Sequence, residues 1–315
     1  MTSAALRATN LTVQVTDGVA RLGKIEIAYD TRGSGPPLLL VAGFGMPRAM
    51  WSDALSDTFA SRGFSVVRMD NRDTGASTRL TELGVPDGKK QLLRSMLGLT
   101  VKPLYTLEDM AADCVGLMKS LGHDRFHVVG ASMGGMIAQT LALDHADKLL
   151  SMTSIMSTPG GRRYSFASVR GFRLIMTPPP RDPKEQLPHF VEVFRVLGGE
   201  GSTFDEERLH TLAEQLVAAK PSVAASARQF EAILDSSGRR PARLPSIKTP
   251  TLVIHGTLDP LLPVRGSKAL ARLIPGAELL LVPGMGHDFP SSKNELIVYA
   301  IAKHAKAATS TAHAA

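Results

Sequence analysis

The sequence predicts an α/β fold: a mostly parallel, doubly wound sheet with one helical segment inserted into it. Three observations carry that expectation. Unbroken apolar runs of strand length recur along the chain, segments of helical spacing lie between them, and the strand pattern stops after Ile155 and resumes only at Thr251. Continuous apolar runs suit strands buried on both faces, as in a parallel sheet covered by helices.

Taken in order, Leu11 to Val15 and Lys24 to Tyr29 alternate apolar and polar residues, as half-buried antiparallel strands do. The buried runs follow at Leu38 to Ala42, Ser65 to Met69, Phe126 to Val129, Leu149 to Ile155 and Thr251 to Ile254, with a shorter one at Leu279 to Val282. Thr106-Leu-Glu-Asp109 opens a helix with a capping-box pattern, and Leu107, Met110, Ala111, Cys114, Leu117, Met118 and Leu121 recur on one face of it. Cys114 therefore belongs to a core stripe. From Thr158 to Ile247 the pattern is helical, in four pieces: Tyr164 to Met176, Pro183 to Leu197, Phe204 to Lys220 and Ser222 to Ser236. A second capping box is expected at Thr203-Phe-Asp-Glu206. The expected division is a core of residues 1–157 and 248–306, an inserted helical lid at 158–247, and a flexible Ala/Thr/Ser-rich tail at 307–315.

A chain of 315 residues fits one large domain, or one domain with an insertion, better than two independent ones. With 43% hydrophobic residues, 21% charged residues and a mean hydropathy of +0.03, it has the balance of a soluble globular protein. Disorder, collagen and coiled coil are excluded on that balance. No apolar stretch is long enough to span a bilayer, and no signal-peptide pattern opens the chain. The single cysteine excludes an intrachain disulfide and a multi-cysteine metal site, so a cytoplasmic location is expected. The formal charge of +7 is scattered, whereas a nucleic-acid partner would need a concentrated basic stripe. Oligomeric state stays open.

The chemistry centres on Gly130-Ala-Ser-Met-Gly134, which follows the run Phe126 to Val129 and opens a helix carrying Met136, Ile137, Thr140 and Leu141. In that setting a G-x-S-x-G holds its serine on a strained strand-to-helix turn, with the side-chain oxygen near the helix N-terminus. Ser132 is thus the candidate nucleophile. A serine needs a base, and the base needs an orienting carboxylate, in the chain order Ser, Asp/Glu, His. Thr251 to Pro260 supplies Asp259 after a buried strand, and Gly284-Met-Gly-His287-Asp-Phe-Pro supplies His287 after a later one. The other carboxylate position, after the strand following the elbow helix, reads Ser157-Thr-Pro-Gly and holds no acid. His255, near Asp259 at a strand end, is the alternative base. The developing oxyanion needs two backbone N–H donors, assigned to Met133, just after the nucleophile, and to Phe44 in Gly43-Phe44-Gly45. Both donors would touch the substrate.

With these motifs in place, the chain resembles the α/β-hydrolase superfamily. The likeness covers roughly residues 20 to 305 and rests on Gly43-Phe-Gly, Asp70 to Ser77, Gly130 to Gly135, Gly256 to Asp259 and Gly286-His287. Tyr105 to Asp113 and Asn71 to Gly75 look similar to bacterial carboxylesterases of the polyketide methyl esterase type. The resemblance implies the α/β-hydrolase fold and a serine hydrolase acting through an acyl-enzyme on a small-molecule ester, with no metal and no organic cofactor. C–C bond hydrolysis, perhydrolysis and acyl transfer use the same triad and stay open, as does a ligand-sensing protein with a slow triad. Two departures stand out. Ala42-Gly43 replaces the His-Gly that many relatives carry, which leaves the internal bonding of the oxyanion loop to be accounted for. Thr78 to Pro103 is longer than usual, and its apolar pieces, Leu92-Leu93 and Met96 to Leu99, read equally as a pocket roof or as plain packing.

Overall fold

The computed structural model describes residues 14–161, 163–164, 171, 173–174, 177–199 and 205–314. Among them, eight strands form one sheet: β1 Val15–Leu22, β2 Ile25–Arg32, β3 Pro37–Val41, β4 Ser65–Met69, β5 Phe126–Ala131, β6 Leu149–Ile155, β7 Thr251–Gly256 and β8 Glu278–Val282. Their order is β1-β2-β4-β3-β5-β6-β7-β8. The pairs β1–β2 and β2–β4 are antiparallel and the rest parallel. The described helices are α1 Asp53–Ser61, α2 Gly88–Met96, α3 Leu107–Ser120, α4 Met133–Asp144, α5 Pro183–Gly198, α6 Glu206–Ala218, α7 Val223–Arg243, α8 Val264–Leu273 and α9 Asn294–Ala314.

The apolar runs are explained by burial on two faces. In β3, Leu39 and Val41 pack with Leu107, Cys114 and Ile137 of α3 and α4, while Leu38 and Leu40 pack with Phe59 of α1 and Ile297 and Ile301 of α9. The capping box on α3 forms as expected, Thr106 and Asp109 each accepting the other's backbone N–H. Because the chain runs from β3 toward β4 on one side and returns to β5 on the other, the loops after β3 and β5 meet at a topological switch point, where open sheets of this kind bind ligands.

Several elements depart from expectation. The first strand begins at Val15, where the sequence alternation places its end; Leu11 to Val13 lie outside the described residues. Its register is set by a two-residue turn in which Gly23 takes φ +67°, pairing Leu22 with Ile25. Thr203 of the second expected capping box lies outside the described residues; among those described, Asp205 caps α6 by accepting from Arg208 N–H. Most of Tyr164 to Met176 likewise lies outside them. Helix α7 runs on past Ser236 to Arg243, because buried Arg240 ties its last turns to Gln139 of α4 and to the Thr158 carbonyl.

The C-terminal segment is helical. Its Ala/Thr/Ser composition predicts fraying, yet α9 continues to Ala314, with Ala305 and Ala308 buried and Thr309 Oγ1 3.1 Å from His127 Nε2 of β5. Small side chains let this helix lie close against the sheet. Among the described residues, no helix is long and apolar enough to cross a membrane.

Between β6 and β7 stand α5, α6 and α7. The first two share an apolar seam of Phe190, Phe194 and Leu197 against Leu209, Leu212 and Leu216. Helix α7 packs instead toward Thr78–Pro103, where Leu92 and Val101 meet Phe230 and Leu234 beside Phe44. The two readings of that stretch thus divide: Leu92 faces inward, while Leu93, Met96, Leu97 and Leu99 are exposed.

Candidate active site

Ser132 joins β5 to α4 with φ +57° and ψ −116°, a strained conformation for a residue with a side chain. The flanking glycines are required by contact. A Cβ on Gly130 would lie 2.0 Å from the Gly134 carbonyl oxygen, and one on Gly134 would lie 2.1 Å from that of Val41. Ser132 N–H donates to the Ile155 carbonyl at 2.9 Å, and Ser157 Oγ–H donates to the Ser132 carbonyl at 2.8 Å. Both clamps come from the end of β6.

Three sequence-predicted side chains meet there. His287 Nε2 lies 3.0 Å from Ser132 Oγ, and its Nδ1 lies 2.7 Å from Asp259 Oδ2. The Asp259 side chain is fully buried, and its Oδ1 accepts from the backbone N–H groups of Leu261 and Leu262, both at 2.8 Å. The acid is thereby fixed in the loop after β7, and the base follows β8, the next strand over.

His255 is not positioned as the base. Its Nδ1 lies 2.6 Å from Ser267 Oγ, its Nε2 lies 3.0 Å from the Leu262 carbonyl oxygen and 3.3 Å from Asp259 Oδ2, and the ring is wholly buried. Burial pushes its pKa below the usual histidine value, against the pull of Asp259. It buttresses the acid from behind. Cys114 is buried beside Met69, and burial pushes its thiol pKa upward, so a thiolate is disfavoured.

The loop after β3 comes up against the nucleophile: a Cβ on Gly43 would lie 3.3 Å from Ser132 Cβ. Among the described residues, neither Phe44 N–H nor Met133 N–H donates to a protein acceptor. The two amides that sequence reasoning assigns to an oxyanion are therefore free to bind one. Without the His-Gly dipeptide, the loop is bonded differently. Asn71 Nδ2 donates to the Ala42 carbonyl at 3.0 Å, and Met46 N–H closes a turn onto the Gly43 carbonyl at 3.2 Å.

Sequence reasoning missed what the inserted helices contribute. The Leu197 carbonyl, in the last turn of α5, accepts the His287 N–H at 2.7 Å, and Gln229 of α7 binds the loop carrying Phe44. The Gly198-Gly199 pair at the end of α5 is a visible signal that the sequence alone marks only as a turn; Gly198 in fact packs on Gly286. The Asp70–Ser77 motif is an anchor. Asp70 accepts from Arg48 and Ala76, and Asp73 is bound bidentately by Arg228 of α7 at 2.8 and 2.7 Å.

Comparison with known proteins agrees with this architecture. The family model described as "Alpha/beta hydrolase family" matches residues 38–298. Rhodomycin D methylesterase DauP of Streptomyces sp. (strain C5) is 29% identical, the match covering 91% of this chain and 97% of that one. Rhodomycin D methylesterase DnrP of Streptomyces peucetius is 30% identical over 90% and 97%. Among solved structures, 2-hydroxy-6-oxo-6-phenylhexa-2,4-dienoate hydrolase (BphD) of Rhodococcus sp. strain RHA1 superposes with a TM-score of 0.71 at 21% identity, covering 93% of this chain and 99% of that one. On the family match and these full-length relatives, the chain belongs to the alpha/beta hydrolase family.

Proposed function

We propose that the protein hydrolyses a carboxylic ester of a small, mainly apolar molecule through an acyl-enzyme on Ser132, and that a methyl ester is the favoured substrate. The observation that carries this is the continuous line Asp259–His287–Ser132, ending against the loop after β3 that carries Phe44. His287 Nε2 takes the Ser132 proton as Oγ attacks the ester carbonyl, and Asp259 keeps the remaining proton on Nδ1. Phe44 N–H and Met133 N–H bind the oxyanion. His287 then protonates the departing alcohol, and a water activated by the same base releases the acid.

The methyl ester is suggested by the two rhodomycin D methylesterases, whose likeness runs the length of the chain. The apolar character rests on Phe44, Leu92, Val101, Phe230 and Leu234, grouped at the oxyanion loop. In this reading residues 158–247 form a lid over a core of 1–157 and 248–306, and the enzyme works in the cytoplasm. A fluorophosphonate should label one site, Ser132, and a panel of methyl and larger esters should show turnover that Ser132→Ala abolishes. Labelling or hydrolysis persisting in Ser132→Ala overturns the reading.

A further inference from the structure

We infer that Gln229, on inserted helix α7, is a positioning residue for the oxyanion turn; the inference rests on Phe44 N–H serving as a donor in the proposed reaction. Gln229 is buried, and both ends of its amide are bonded. Its Oε1 accepts from Gly45 N–H at 2.8 Å, while Nε2 donates to the Arg72 carbonyl at 3.1 Å and to Thr74 Oγ1 at 2.9 Å. Only one orientation of the amide satisfies these partners, because Gly45 offers a donor and Arg72 an acceptor.

The bond falls where the turn is decided. Met46 N–H bonds back to the Gly43 carbonyl, and Gly45 has φ +66°, so Gly43 to Met46 form a type II turn. A trans peptide points its N–H away from its own C=O, so with the Gly43 carbonyl turned in toward Met46, Phe44 N–H faces out of the turn. Type I and type II turns differ by a flip of the central peptide, here Phe44–Gly45. Gly45 N–H is the donor of that peptide, and Gln229 holds it in one orientation. The neighbouring Arg228, locked onto Asp73, fixes the helical turn from which Gln229 projects. An inserted helix thus reaches into the core loop and holds the donor's turn in shape.

Gln229→Met fills a similar volume without the bonds. We expect it to lower kcat on a small p-nitrophenyl ester by about tenfold to a hundredfold, less than deleting a whole oxyanion donor, with KM within about twofold. Affinity for a trifluoromethyl ketone, which forms a tetrahedral oxyanion on the nucleophile, should fall by the same factor. Gln229→Glu, which keeps an acceptor for Gly45, should recover kcat to within about fivefold of wild type. Thr74→Val, which removes one anchor of the amide but leaves the Gly45 contact, should keep kcat. Should Gln229→Met not fold, Gln229→Asn, one methylene short of Gly45, gives the same reading. A kcat within about threefold of wild type in the Met or Asn variant, or a change confined to KM, overturns the inference. Ser132→Ala measured alongside separates the two claims: if it is inactive while the Gln229 variants are unimpaired, only the positioning role fails.

Discussion

The backbone N–H of His287 is bonded to the carbonyl of Leu197 at 2.7 Å, so the base of the candidate triad rests on the last turn of an inserted helix. A Cβ on Gly286 would lie 2.1 Å from the Gly198 carbonyl oxygen, which leaves no room between the two segments for even a methyl group. Gly286→Ala is therefore expected to displace His287. Its kcat should fall by about tenfold or more, from misplacement alone, while circular dichroism stays native. Wild-type kcat in a folded Gly286→Ala would show that the contact does not position the base.

In the proposed reaction the inserted segment would then act on the chemistry as well as on access. A lid that merely covered the pocket would govern only which esters enter. The bonds from Leu197 to His287 and from Gln229 to Gly45 argue otherwise. Replacing residues 161–238 with a short Gly/Ser linker should lower kcat for small and bulky esters alike, provided the sheet still folds. Full activity on a small ester, with losses only on bulky ones, would restore the simpler role.

His287→Ala should lower kcat by on the order of 10³ or more, and Asp259→Asn somewhat less, because the oxyanion donors and binding remain. The decisive comparison is with His255→Asn. That residue faces Asp259 and not Ser132, so its variant should keep most of kcat; a loss equal to that of His287→Ala would reverse the assignment.

The pair Arg228–Asp73 is buried at both ends, with side-chain exposures of 1% and 0%. Arg228→Met leaves the Asp73 carboxylate without its cation, which costs about 3–5 kcal/mol for a buried pair broken on one side. Urea unfolding should register the loss, and the double variant Arg228→Met/Asp73→Asn should recover part of it. No recovery would mean the two charges are not coupled.

Acid should destabilise the protein through His127. This buried histidine lies between Ser151 Oγ and Thr309 Oγ1, and burial, helped by His304 and Arg125, lowers its pKa to about 4. In the unfolded chain it titrates near ~6.5, so between the two values only the unfolded state takes up the proton. Stability rises with pH through that window and is lost as pH falls, by at most about 3 kcal/mol from this group. His255, also shifted downward, acts in the same sense. The drop in Tm from about pH 7 to about pH 4.5 should be smaller in His127→Gln; an unchanged drop would place the acid sensitivity elsewhere.

The sequence by itself determined the sheet and pointed to the three side chains that the fold brings together. Burial on both faces writes strands such as Leu38 to Val41 as unbroken apolar runs, and the crowding around Ser132 admits only glycine at positions 130 and 134. Ser132, Asp259 and His287 were legible because each follows a strand end, where local sequence fixes local geometry. What only the tertiary structure decided lies in backbone contacts between distant segments. The carbonyl of Leu197 and the N–H of Gly45 carry no residue-specific signature, since every residue but proline has both groups. Gln229 reads on its helix as any polar residue would, and its role appears only when folding brings α7 within 2.8 Å of a loop 184 positions away. The tail shows the same limit: Ala308 stands in an Ala/Thr/Ser-rich stretch that reads as solvated in sequence, and it is buried because α9 continues through it.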